Sequence, residues 1–416
     1  MSTLKPALSE TINQFKFSWD NGISVELHHL DEKSRAEIWA WHNNGTNTLI
    51  DVSELNLLAP RSRDDYCKRL TARTPGVKDF DWITAFDYIV PMALQARRKG
   101  EPIIELGSND AVITKPAWDC YPLIVSGMLN LIFGDRGALK SKLTLYLAIM
   151  MTVPNLVDDW GLGINPASRN LTVLKLDYEA TRESDEYEWR RILRGLDAEG
   201  AVQLKYRACR RPLADDIEAI SNHVDAIKAD VLIIDSLGPA AGGNLNDSEP
   251  ALRFGEAVRK LNRTVICPAH TAKNQFGKRT VYGNAFYENL ARNIWEINKE
   301  EEENDESTVQ HVALHQTKSP PFSPHHKDMA LQFDFDEESE RIQVSKYDPN
   351  KMEVVNEKKS NPRKVLEVLK DGKQTPKVIA EATGISEAVV RTTLYRLLQS
   401  DKVIKIGEEW GLIYEV

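Results

Sequence analysis

The chain has 416 residues, of which 42% are hydrophobic and 28% charged, a globular composition on more chain than one core usually organises, so two or three domains are expected. No run of about eighteen apolar residues could span a bilayer, and the opening MSTLKPALSETINQ lacks the pattern of a secretory signal, so no membrane segment and a cytoplasmic location are expected. The formal charge of -9 excludes a surface that attracts nucleic acid everywhere; such binding needs a local patch or an oligomeric channel.

From Gln14 to Leu57, short alternating runs (FKFSW, ISVELHHL, AEIWAWH, TLIDVSEL) separated by DNG, DEK and NNGTN predict a small antiparallel sheet. Trp39 and Trp41 alternate along one of its strands and share a face, in the core or at an interface. SRDDYCKRLTAR reads as a helix starting near Ser62 or Arg63, and DWITAFDYIVPMALQARRKG as a second one interrupted or shifted around Pro91. Residues 1–115 thus form an N-terminal β-rich and helical module.

Past the polar EPIIELGSNDAVITKPAWDC, apolar strands alternate with amphipathic helices, the rhythm of a mainly parallel α/β sheet. Its strands are MLNLIFG, NLTVLKLDYE, AVQLKYRA, DVLIIDSL, RTVICPAH and RNIWEIN, extended by VQHVALHQT and the DMALQFDFD and RIQVSKYD pair. Unbroken runs such as VLII belong where both sheet faces are covered. This core spans 116–348. His311 and His315 could share a strand face, but no cysteine or carboxylate cluster accompanies them, so packed or exposed strand histidines are expected rather than a metal site. The charged stretch 349–361 reads as a linker. In 362–416, PRKVLEVLKDGK, TPKVIAEATGI and SEAVVRTTLYRLLQSD predict three helices and KVIKIGEEWGLIYEV a hairpin, which together suggest a winged helix-turn-helix. Cys67, Cys120, Cys209 and Cys267 lie far apart without CxxC pairs and are expected to be reduced thiols.

The segment GDRGALKS, Gly134 to Ser141, lies between an apolar strand and the helical pattern LTLYLAIMM. A phosphate loop needs glycines where backbone N–H groups close around phosphates, a lysine against their charge, and a hydroxyl for magnesium. Gly134, Gly137, Ala138, Lys140, Ser141 and Lys142 fit that arrangement. Leu139 replaces the penultimate glycine, and a positive φ there would cost a leucine roughly 1–2 kcal/mol while removing neither charge nor hydroxyl. Downstream, VLIID ends in Asp235, the carboxylate position that would bind magnesium with Ser141. Glu179 closes another strand, where a carboxylate could polarise an attacking water, with Asp177 as fallback. His270 ends TVICPAH, placed to sense a terminal phosphate.

GDRGALKS, Glu179, VLIIDSL, CPAHTAKN and YGNAFYENLARNIWEI, in that order over roughly 130–335, resemble the RecA-like P-loop ATPases of the hexameric replicative helicase RepA type. The resemblance implies a RecA-like core, ATP and Mg2+ bound between subunits of a homo-oligomeric ring, and work on DNA in replication or maintenance of a mobile element or phage, with replication or mobile-element proteins as partners. It implies phosphate and magnesium contacts from Lys140 and Ser141, a metal-side carboxylate at Asp235, a base at Glu179 and a sensor at His270. Arg292 becomes the candidate arginine supplied to a neighbouring subunit, with Lys318 near the same junction.

DNA contact is expected from the third helix of 362–416, through Arg391, Thr392, Tyr395 and Arg396, with Lys402 and Lys405 near the wing. Lys273, Lys278 and Arg279 suit either a mobile loop facing a ring's channel or an ordinary flexible surface loop. The alternative function is an ATP-switched DNA-binding regulator or assembly platform with little or no translocation.

Overall fold

In the computed structural model, residues 5–11, 14–31, 33–74, 77, 80–99, 117–157, 160–273, 279–300, 309–358 and 361–413 are described. The chain divides into two compact units, Met1–Lys115 with Leu213–Ile227, and Pro116–Pro212 with Lys228–Val416.

The first unit is built on an antiparallel meander of β1 (Ala7–Thr11), β2 (Gln14–Ser18), β3 (Ile23–His28), β4 (Arg35–Asn43) and β5 (Asn47–Asn56). In β3 every second residue is buried, the signature of a sheet with one face on a core. Phe17, Val25, Leu27 and Ile38 enter that core with Tyr66, Leu70, Phe86 and Ile89 of α1 (Pro60–Arg73) and α2 (Trp82–Lys99). Helix α1 begins at Pro60, ahead of the expected start, because proline at the first helical position has no amide to satisfy. Helix α2 runs through Pro91, where interruption was expected. Pro91 is exposed while Ile89, Val90 and Ala93 are buried around it, so packing on both sides offsets the lost hydrogen bond. Trp39 and Trp41 lie half-buried and stacked at 5.9 Å between centroids.

The second unit opens with β6 (Trp118–Tyr121) and β7 (Ile124–Val125), then β8 (Leu129–Gly134), α3 (Lys140–Thr152), β9 (Asn165–Pro166), β10 (Val173–Asp177), α4 (Arg182–Gly195) and β11 (Lys205–Ala208). Helix α5 (Ile217–Ala226) returns to the first unit. There Glu218 Oε1 lies 2.5 Å from His28 Nδ1 and Glu218 Oε2 3.4 Å from His29. The chain then forms β12 (Val231–Asp235), α6 (Leu237–Ala241), α7 (Ser248–Leu261), β13 (Thr264–Lys273), β14 (Arg279–Val281), α8 (Phe286–Leu290), β15 (Asn293–Glu300), β16 (Val309–Lys318), β17 (Met329–Asp336) and β18 (Arg341–Tyr347).

Sheet order is β11-β10-β12-β13-β8-β15-β16-β17-β18, with β14 on β13. From β11 to β15 neighbours are parallel, and the last three strands add antiparallel. Strands β8, β10 and β12 are buried at every position, as sheets covered on both faces require. This mixed α/β architecture with a mainly parallel sheet fits a P-loop NTPase core. Strand β8 enters between β13 and β15, which follow it in sequence, so its carboxyl end is a crevice of the kind that receives ligands in open α/β sheets.

The stretch 349–361, expected as a linker, contains a 3-10 turn at Pro349–Lys351 and α9 (Glu353–Lys358). Met352 and Val355 are buried there against Ala313 and Ala330, so two well-spaced apolar side chains dock a segment whose composition is otherwise polar. The chain ends with α10 (Asn361–Val368), α11 (Pro376–Thr383), α12 (Glu387–Gln399) and the hairpin β19 (Val403–Ile406) and β20 (Glu409–Leu412), around Val365, Ile379, Leu394 and Trp410. No helix among the described residues is long and apolar enough to cross a membrane.

Candidate nucleotide site

At the end of β8 a glycine is required for space. A Cβ on Gly134 would stand 2.6 Å from the Ile297 carbonyl oxygen of neighbouring β15. The loop then turns through Gly137 at φ +74° and Leu139 at φ +59°, ψ +22°. Leu139 therefore occupies the left-handed region anticipated for this position, at a cost of about 1–2 kcal/mol, while its side chain packs against the core. Lys140 opens α3, nearly buried, and its Nζ donates to the carbonyls of Gly134 (2.8 Å) and Asp135 (2.7 Å). Burial pulls its pKa below the ordinary lysine value, opposed by the carboxylates of Asp235, Asp135 and Glu179.

Opposite the loop, β10 and β12 run parallel with Asp177 beside Asp235. Asp235 is buried and joined to the wholly buried Lys175, whose Nζ lies 3.1 Å from Asp235 Oδ2 and 2.6 Å from Asp185 Oδ2. Burial alone would lower the Lys175 pKa, but Asp235 and Asp185 outweigh it and hold the ammonium charged. Asp177 accepts hydrogen bonds from the amides of Glu179 (3.2 Å) and Ala180 (3.0 Å) and from the Tyr206 hydroxyl (2.8 Å). Its carboxylate is thus consumed in shaping the turn that presents Glu179, and it does not line the cavity as a substitute base. Glu179, 45% exposed at its side chain, accepts from Ser236 Oγ at 2.5 Å. His270 Nε2 lies 3.9 Å from the same Glu179 oxygen, on a strand that pairs His270 with Gly134.

An open cavity of about 440 Å³ gathers these groups: Lys140, Ser141, Glu179, Asp235 and His270 line it. Gly137, Ala138, Leu139 and Lys142 complete its loop side. Lys142 also pairs with Glu188 at 3.2 Å. The chemistry is that of a polyphosphate receptor: backbone N–H groups at the start of a thirteen-residue helix, a lysine, two carboxylates and an imidazole. The hydroxyl of Ser141 and the carboxylate of Asp235 are hard oxygen donors, which suits magnesium, an ion held by one or two protein oxygens together with waters and substrate phosphates. Among the described residues no group of three or more His, Cys, Asp or Glu could hold a metal by itself.

Residues 97–275 match the family model of an AAA domain. The match spans less than half of the chain, covers the phosphate loop, Glu179, Asp235 and His270, and supports a P-loop ATPase family. An AAA domain implies nucleotide binding and suggests an ATPase. No curated protein gives a significant match to the chain.

Other expected residues lie outside this cavity. Arg292 is exposed just before β15, its amide bonded to Leu129 O at the start of β8, so it stands at the strand end remote from the chain's own phosphate loop. Lys318 donates to the Glu288 carbonyl at 2.7 Å; burial first, then the nearby Arg292 charge, lowers its pKa. Arg279 corrects the expectation of a channel-facing basic loop: it pairs with Asp135 and Glu296, each at 2.8 Å, where its charge steadies the phosphate loop from behind. Lys278 lies outside the described residues, and Lys273 is described only through its backbone in β13. His311 contacts Gln332 (3.3 Å) and stacks on Tyr347, whereas His315 meets Asp328 (2.6 Å).

In the C-terminal helices, Gly384 takes φ +68° between α11 and α12. Ser386 stands at the N-cap of α12 without a side-chain cap bond. Arg391, Thr392, Tyr395 and Arg396 are exposed on α12 and Lys402 ahead of β19. Arg391 pairs with Glu387 at 2.5 Å, and Lys405 sits over the Tyr395 and Trp410 rings at 5.9 and 5.7 Å.

Sequence reading missed Lys175, Asp185 and Ser236. Lys175 leaves a readable trace: one ammonium inside the buried strand VLKLD, apolar on either side of it, demands a buried acid. Ser236 leaves none, since a serine after a strand-end aspartate is commonplace.

Proposed function

We propose that this chain is a P-loop ATPase that assembles as a homo-oligomeric, RepA-helicase-like ring and couples ATP hydrolysis to movement or remodelling on DNA, in replication or maintenance of a mobile element or phage. The observation that carries the reading is the convergence on one cavity of Lys140 and Ser141 with Glu179, Asp235 and His270. Lys140 binds the phosphates and Asp235 with Ser141 holds magnesium, which when bound neutralises charge on the phosphate oxygens. Glu179, fixed by Ser236, takes the proton of the attacking water, and His270 reads the terminal phosphate. Arg292 serves the neighbouring subunit's site, a role that its position away from its own phosphate loop supports. The three helices and hairpin of 361–413 act as a winged helix-turn-helix with α12 toward DNA.

The left-handed Leu139 supports a second reading, an ATP-switched DNA-binding regulator, because strain in the phosphate loop threatens turnover more than binding. ATP hydrolysis with and without single-stranded DNA, beside Lys140→Ala, tests the pair. DNA-stimulated turnover that vanishes in the variant supports the motor, and nucleotide binding without turnover supports the switch. Turnover unchanged in Lys140→Ala defeats both.

A further inference from the structure

A second cavity, of about 750 Å³, shares no lining residue with the nucleotide site. Tyr121, His326, Lys327, Lys346 and Tyr347 supply its aromatic and basic lining. Tyr121 is 43% exposed, yet its ring is held edge-on by His326 at 5.1 Å and by Trp118 at 5.3 Å. His326 is fixed in turn, its amide donating to Gln316 Oε1 (2.8 Å) and its ring stacked on Trp295. An exposed aromatic face with so braced an edge is preorganised to receive a flat apolar ligand.

Charge narrows the ligand. Lys327 and Lys346 are exposed and come from separate elements, the β16–β17 connection and β18. Neither has an ion-pair partner among the described residues. Of the lining carboxylates, Asp328 is engaged by His315 at 2.6 Å and faces Arg363 at 4.0 Å. Asp348 is turned to Asn350, whose amide it accepts at 3.0 Å. Asp348 has no ion-pair partner among the described residues, so the unpaired charges on this wall are two ammonium groups and one carboxylate, an excess of one positive charge on a lining that also holds the braced Tyr121 ring.

We propose that this groove binds single-stranded nucleic acid, with a base stacked on Tyr121 and backbone phosphates on Lys327 and Lys346. Stacking on an aromatic platform combined with basic tracking of the backbone is how strands are held without sequence preference. Two separate ammonium groups can each meet a phosphate of a strand, whereas a nucleoside monophosphate supplies only one. The proposal deepens the DNA reading above and rests on it, but uses none of the groups that bind the triphosphate.

The test is fluorescence anisotropy of labelled oligothymidylate on the full chain, across a salt series. Tyr121→Ala should weaken binding about tenfold or more while Tyr121→Phe retains it. Lys327→Ala/Lys346→Ala should reduce the slope of log K against log salt by about 1.4, two single-strand phosphate contacts at about 0.7 each. Basal ATP turnover should be unchanged in all three. Wild-type affinity and slope retained in both the alanine and the lysine variants would overturn the proposal while leaving DNA binding intact, and loss confined to Arg391→Ala/Arg396→Ala would move the site to α12. Thymidine monophosphate competing as well per nucleotide as the oligomer would overturn the strand assignment. A wild type that binds no oligonucleotide would overturn this proposal and the DNA reading together, with ATP turnover still judged separately by Lys140→Ala.

Discussion

Replacing Lys175 with methionine is the sharpest probe of how the nucleotide site is held. Methionine keeps most of the apolar stem, so little cavity opens, but the cation that bridges Asp185 (2.6 Å) and Asp235 (3.1 Å) is lost at a position with no solvent exposure. Breaking a buried ionic group by removing one partner costs about 3–5 kcal/mol, because the remaining charges stay desolvated. At the lower figure, a domain of this size loses roughly 6–12 °C in melting temperature. The sign with pH follows from Asp185: burial already raises its pKa and Lys175 opposes that rise, so without the ammonium it titrates higher still in the folded state than in the unfolded one, and the loss is greatest at pH 8 and shrinks as acid protonates it. Lys175→Met/Asp185→Leu should recover much of the loss, since a well-packed apolar replacement removes one stranded charge. Urea and thermal melts of the full chain at pH 8 and pH 5 provide the measurement. A single variant within about 1 kcal/mol of wild type at pH 8, or a double variant no better than the single, would refute the view that Lys175 neutralises the acids beneath the phosphate loop.

Three further outcomes are expected. Leu139→Gly relieves about 1–2 kcal/mol of left-handed strain but loses side-chain packing and adds unfolded-state entropy worth roughly 0.5–1 kcal/mol. Its stability should stay within about 1 kcal/mol of wild type while ATP turnover is maintained or raised; a loss above about 2 kcal/mol in melts would show that Leu139 packing dominates. Gly134→Ala, with its Cβ driven to 2.6 Å from the Ile297 carbonyl, should lose about 1–3 kcal/mol and much nucleotide affinity, read by calorimetric titration. In the first unit, burial opposes charge on His28, yet Glu218 and Glu26 raise its pKa to about 9 from an ordinary 6.5. Because the folded value is the higher one, this stabilisation is full below pH 6.5 and lost as pH rises through about 9, on the order of 1–3 kcal/mol for a side chain only 16% exposed. His28→Gln should flatten that part of the pH–stability curve, and an unchanged slope would count against the pairing.

How far such a site can be read before folding depends on which contacts are local. The phosphate loop was legible because its chemistry is contiguous: a buried strand, two glycines, a lysine and a hydroxyl within eight residues. Strands β8, β10 and β12 were legible too, since burial on both faces leaves unbroken apolar runs. What stayed hidden depends on neighbours distant in sequence. Asp177 and Glu179 are two residues apart with the same carboxylate chemistry, but the Tyr206 hydroxyl of β11 takes one and the Ser236 hydroxyl after β12 takes the other. That pairing makes Asp177 a turn former and Glu179 a group presented to the cavity. Arg279 was misread for the same reason: a cation in a polar loop looks free until β14 pairs with β13 and sets it between Asp135 and Glu296.

The same logic ties stability to chemistry in the nucleotide site. Lys140 is lowered in pKa by burial and satisfied by two loop carbonyls, so an arriving phosphate must offer it more than those carbonyls do. Lys175, one layer below, stays charged and cancels part of the negative field of Asp235 and Asp185. One buried lysine therefore faces the cavity and one faces the core, with Asp235 between them. On that partition, losing Lys140 should remove phosphate affinity with little effect on folding, and losing Lys175 should do the reverse.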